Sequence, residues 1–270
     1  MSKRICYINP MVEASSGPWL EVANQVFPFV LSHDATLDIK SIKPGLSRAP
    51  DFEYPYFMLP NKIQIVETIF EAEHEGYDAC IVGCFHDPAV REARQVVDIP
   101  VIGLMECTLL YACTLGHRFG VVTINHPKEI PDFEDGIRLL GLESRAISRM
   151  VRCIDMSDFD VFTDGIQKPH LVADAIMEKA NECIHEGADV IVIGCGALGP
   201  ISTLAKLSRV TDVDVPILDC TAVAINFVSM AVDLKKALKL PTVSRKDMYA
   251  MPRPKDIDRV RSVFGMATLK

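Results

Sequence analysis

The sequence has no excess of positive charge: 28 Lys and Arg stand against 36 Asp and Glu, a formal net charge of −8. An extended basic face for nucleic acid is therefore not expected. A small anion stays compatible with that balance, because backbone amides and helix N-termini supply local positive potential. There is no long apolar run either. The stretch Ala188 to Cys195 has strand length, well below a membrane span. The apolar run after Arg4 is too short for a signal segment and has no small-residue cleavage site behind it. The expected location is the cytoplasm, with no membrane partner. The nine cysteines include no Cys-x-x-Cys pair, which excludes a zinc ribbon or a dithiol redox motif. Their odd number and irregular spacing read as thiols rather than a disulfide framework. Gly194 to Gly199 fits the dinucleotide glycine pattern only when shifted, and lacks its context. The expectation is no metal and no cofactor.

What is present is a repeat. The 270 residues, 49% hydrophobic, suffice for one large α/β domain or two small halves. Glu73 to Cys84 (EHEGYDACIVGC) returns as Ile184 to Cys195 (IHEGADVIVIGC), with His-Glu-Gly, the Asp and Gly-Cys in register. Each copy reads as a helix end, a Gly stop, and a buried parallel strand running into Gly-Cys. Arg4 to Pro10 matches Arg118 to Ile124 as the opening strand of each half. Ile99 to Gly103 matches Val215 to Asp219 as a later strand. Amphipathic stretches at 61–75, 88–97 and 173–185 supply intervening helices, so the expected units are βαβ. The fold class is α/β: two flavodoxin-like parallel-sheet halves related by a pseudo-twofold, with the active site in the cleft between them. The expected divisions are 1–116, 117–220, a helix over 221–240 crossing back to the first half, and a tail over 241–270 with a short helix.

Ligands of open α/β sheets sit beyond the carboxyl ends of the strands. Both Gly-Cys pairs occupy that place, so the pattern sets Cys84 opposite Cys195 across one site. A strand-end cysteine on its own is usually core. Two at equivalent repeat positions are the expected acid and base of a carbon-acid racemisation, one thiolate and one thiol exchanging roles at each turnover. The ordinary thiol pKa, ~8.5, keeps both forms within reach. The other seven cysteines are expected to pack. His86, two past Cys84, either tunes that thiol or touches substrate, or is a capping residue near Asp87-Pro88. His74 and His185 are expected as cations at helix C-termini. The aromatic stretch Asp51 to Met58 reads as a loop that lids a substrate or meets a neighbouring subunit.

At these residues the sequence resembles the aspartate/glutamate/hydantoin racemase superfamily, nearest to its hydantoin and allantoin racemase branch. The likeness rests on Gly83-Cys84-Phe85-His86-Asp87-Pro88, Ala93-Arg94, Ile99 to Gly103, Ile8-Asn9-Pro10, Phe119 to Thr123 and Ala188 to Cys195. It implies cofactor-free proton transfer by Cys84 and Cys195. It also implies substrate contacts from Asn9 and Thr123 at the opening-strand ends, and from the turns at Phe85, His86, Gly196 and Ala197. The partner would be a small carboxylate or hydantoin, and the resemblance allows a homo-oligomer. The chain departs from the family pattern at Met11-Val12-Glu13, at His86 and at Gly196 to Pro200. Two alternatives to racemisation stay open: cis–trans isomerisation of a maleate-type dicarboxylate by a nucleophilic cysteine, and non-catalytic binding of a small acid.

Overall fold

The computed structural model describes residues 2–268. The first half runs β1 (Lys3–Met11), α1 (Gly17–Val30), β2 (Ala35–Leu46), α2 (Pro55–His74), β3 (Ala79–Val82), α3 (Val90–Val96), β4 (Val101–Gly103) and α4 (Leu104–Leu115). The second runs β5 (Phe119–Thr123), α5 (Ile130–Leu139), β6 (Ala146–Cys153), α6 (Asp158–Asp160), α7 (Pro169–His185), β7 (Val190–Ile193), α8 (Leu198–Leu204), β8 (Arg209–Val210) and β9 (Val215–Asp219). Helices α9 (Cys220–Leu238) and α10 (Pro254–Val263) follow.

The sheets are ordered β2-β1-β3-β4 and β6-β5-β7-β9-β8, so the first four strands of each follow one flavodoxin-like plan. All pairs are parallel except β8–β9. That exception departs from a purely parallel second half. A two-residue edge strand joined to its neighbour by a short turn can only pair antiparallel, because a parallel pair needs a crossover. The central strands β3 and β7 are apolar and fully buried, as strands covered on both faces must be.

The repeat has a structural reason at each residue. Gly76 (φ +80°) and Gly187 (φ +94°) take the left-handed turn after α2 and α7. The Nδ1 of His74 lies 3.0 Å from the Phe70 carbonyl, and that of His185 lies 2.7 Å from the Asn181 carbonyl, so each serves its own last helical turn. Asp78 accepts the Arg4 amide at 2.8 Å, and Asp189 accepts the Arg118 amide at 2.7 Å. Each carboxylate thereby aligns the start of its opening strand with the strand that ends at a cysteine.

Helix α9 packs against α4, β3 and β4, and its Asp233 holds Lys3 of β1 at 2.7 Å. The tail lies on the first half as well. Arg261 pairs with both oxygens of Glu67 on α2 at 2.6 Å, and Arg245 donates to the carbonyls of Arg94 and Val97. The stretch 51–58 is not a loop. It is a 3₁₀ turn (Ala49–Glu53) followed by the first turn of α2, with Pro55 at a first-turn position where no intrahelical donor is missed. Among the described residues, no helix is long and apolar enough to cross a membrane.

Candidate active site

Strands β3 and β7 both end in Gly-Cys, and the two turns meet. A Cβ on Gly196 would lie 2.6 Å from the Gly83 carbonyl oxygen, and one on Gly194 would lie 3.0 Å from the Phe85 ring. Backbone cannot yield as a side-chain tip can, so glycine at 196 is what lets the halves close. A cavity of about 100 Å³ opens at this seam, lined by Cys84 and Cys195 together. Phe85, His86, Thr123, Gly196 and Ala197 line it as well.

Asn9 is elsewhere. It is buried, and its Nδ2 donates to the Ser16 and Ser41 hydroxyls at 2.8 and 2.9 Å, away from the cavity lining. Its place at the end of β1 is the expected one, but the amide is spent on fixing the following loop. Thr123 does face the cavity, yet its hydroxyl donates to the Gly194 carbonyl at 2.8 Å, tying β5 to the second cysteine turn. Phe85 is a packing side chain, edge-on to Phe133 with centroids 5.7 Å apart.

Burial pushes both thiols up. For Cys195 it is opposed by the backbone amides of Leu198 and Ala197, and the pKa stands at about 11. For Cys84 burial is opposed by one amide, that of His86, and the thiol lies well above its ordinary range. The turn amides thus act on the sulfurs and oppose the effect of burial.

Beside Cys84 stands a chain of polar groups. His86 Nδ1 is 3.6 Å from Cys84 Sγ, and its Nε2 is 3.6 Å from carboxylate oxygens of both Glu129 and Asp132. The tautomer that suits these neighbours carries its proton on Nε2 and leaves Nδ1 to accept from the thiol. Burial lowers the His86 pKa, so the ring is neutral near pH 7, and it stacks on Phe133 at 4.1 Å. Glu129 accepts from His126 Nδ1 at 3.0 Å, and Asp158 from His126 Nε2 at 2.7 Å. Burial alone would lower the His126 pKa, but these two carboxylates outweigh it and raise it to about 10. His126 and Glu129 line the cavity and were not singled out from the sequence. Their signal was available: they follow Thr123 beyond the carboxyl end of β5, where ligands of such sheets sit.

Residues 56–228 match the family described as Asp/Glu/hydantoin racemase. A hydantoin racemase of Pseudomonas sp. (strain NS671) is 26% identical over 234 residues, 86% of each chain. One from Rhizobium meliloti is 31% identical over 192 residues, 71% of this chain and 73% of that one. The structure of an allantoin racemase from Klebsiella pneumoniae superimposes with a TM-score of 0.77 at 21% identity, covering 93% of this chain and 94% of that one. With the family match spanning well over half its length, this chain belongs to the Asp/Glu/hydantoin racemase family of isomerases.

Proposed function

We propose that this chain racemises the C5 carbon of a hydantoin, with Cys84 and Cys195 as acid and base on opposite faces. The observation that carries the reading is the shared cavity: two strand-end cysteines from two repeated halves, on turns in contact, with one backbone amide on Cys84 and two on Cys195. In the forward step the thiolate of one cysteine takes the C5 proton. The electron pair moves onto the adjacent carbonyl oxygen, and the thiol of the other cysteine delivers its proton to the opposite face. Thiol and thiolate have then changed places, and the reverse step runs by the same path. No redox change and no external acid are needed.

The charge of the site favours a neutral ring over a free amino acid. Among the described residues neither Lys nor Arg lines the cavity, and His126 is already balanced by Glu129 and Asp158. An α-carboxylate would enter a net negative, poorly hydrated space, at a steep desolvation cost. A hydantoin brings N–H donors to that same carboxylate-rich wall.

Proton NMR in D2O on 5-substituted hydantoins, aspartate and glutamate tests this. The expected result is loss of the C5 proton signal from hydantoins alone. Exchange of the amino acids without the hydantoins would sink the ring assignment. No exchange of any of them would sink the racemase reading.

A further inference from the structure

Glu129 stands on the wall of the cysteine cavity with half of its carboxylate unpaired. It closes the 3₁₀ turn Pro127–Glu129 that follows β5, and its side chain is only 6% exposed. Oε1 accepts from His126 Nδ1 at 3.0 Å, which holds the carboxylate in place. Oε2 has no donor at hydrogen-bond distance among the described residues. His86 Nε2 stands 3.6 Å from it, too far for a hydrogen bond, and equally far from the exposed Asp132.

A buried acceptor left open is costly and calls for a partner. The carboxylate does not help the sulfurs either. Burial does most to raise both thiols, and the charge of Glu129 adds to it at Cys84 and at Cys195 alike. A group whose charge reaches both sulfurs lies close to whatever is held between them.

On the racemase reading, on which this rests, we infer that Glu129 Oε2 accepts the N1–H of the hydantoin ring and restricts turnover to rings with a free N–H beside the stereocentre. C5 has two ring neighbours, C4 and N1. The C4 carbonyl gains negative charge as C5 is deprotonated, and a carboxylate beside it would oppose that change. The C4 edge therefore turns away from Glu129, which leaves the N1 edge facing it. A charge-assisted N–H···O bond then fills the open place on Oε2. An analogue with oxygen in place of N1–H would set a lone pair against the carboxylate and leave Oε2 unpaired.

The test is kcat/KM by polarimetry for 5-benzylhydantoin and 5-benzyloxazolidine-2,4-dione, the same ring with oxygen for N1–H, on the native chain and on Glu129→Gln. The native chain should favour the hydantoin by about 10²-fold or more, since a site built around a substrate N–H rejects an analogue without it by up to about 10⁵-fold. In Glu129→Gln the amide oxygen takes the bond from His126, and the amide nitrogen stands as a donor where Oε2 was. That donor suits the ring oxygen and not N1–H, so the ratio should fall by about tenfold or more. A carboxylate that served only as counter-ion to His126 would affect both rings alike, so a ratio unmoved by Glu129→Gln would overturn the assignment. Equal turnover of both rings by the native chain would overturn it too, and that comparison stands even where the variant does not fold. No turnover of any hydantoin would instead remove the racemase reading itself.

Discussion

The two cysteine turns share a plan, but different residues carry it out. Under the first, Asp87 (φ +48°) reaches across to accept the Met105 and Glu106 amides at the start of α4, and Gly103 makes the room. A Cβ there would sit 2.2 Å from the Asp87 carboxyl. Under the second, the carboxylate comes from the strand end. Asp219 accepts the Thr221 and Ala222 amides at the start of α9, and the space comes from Gly199 in the first turn of α8, just past Cys195, again 2.2 Å away. Carboxylate and glycine have traded sides across the same contact. Burial raises both acids, Asp87 to about 7, although the amides they accept pull the other way. The pseudo-twofold thus preserves a helix capped beneath each cysteine and leaves free which strand supplies the cap. The sulfurs differ too: Cys195 has two amides, whereas Cys84 has one amide and an imidazole. The pair is alike in position and unequal in acidity.

Removing either thiol should erase that pairing. Cys84→Ala and Cys195→Ala are each expected to lower racemisation by about 10²–10⁴-fold, the usual worth of a positioned acid or base, measured by polarimetry. Next come the exchanged glycines. Gly103→Ala and Gly199→Ala each press a methyl on a carboxylate held by two amides and should each cost about 1–3 kcal/mol. Comparable losses in urea unfolding would support the traded contact, and a loss at one site alone would break it. His86→Ala touches only the Cys84 side. It should reduce kcat/KM about tenfold, the worth of the one hydrogen bond that Nδ1 accepts from the Cys84 thiol, and alter the pH profile. Because a thiolate is required and burial holds both thiols high, native kcat/KM should rise with pH from 7 toward about 11. A further effect concerns stability. His126 has a folded pKa of about 10 against an ordinary 6.5, so its contribution is full below pH 6.5 and fades as pH climbs through 10. The Tm should therefore decline over that window, and less so in His126→Gln.

The repeat made most of this legible in advance. Gly-Cys in register at 84 and 195, each after an Asp and a fully apolar strand, fixed the parallel order and the strand-end position together. What had no repeat partner was hidden. His126 lies three past Thr123, and three past the matching Asn9 stands Val12, so register drew no attention to it. The two-residue β8 is too short to show any alternation. The aromatic stretch 51–58 read as loop, and Pro60, which sits inside α2, interrupts the helical pattern at the start of that helix. Asn9 was placed correctly along the chain, but side-chain direction is set by Ser16 and Ser41, partners that only the fold brings near.

The central claim is that each cysteine serves one face. Its most direct test is solvent-deuterium exchange at C5 of separate (R)- and (S)-5-benzylhydantoin with Cys84→Ala and Cys195→Ala, followed by NMR. Each variant keeps one base, so each should exchange one enantiomer without inverting it, and the two should choose opposite enantiomers. Exchange of the same enantiomer by both, or inversion surviving in either, would contradict the two-face account.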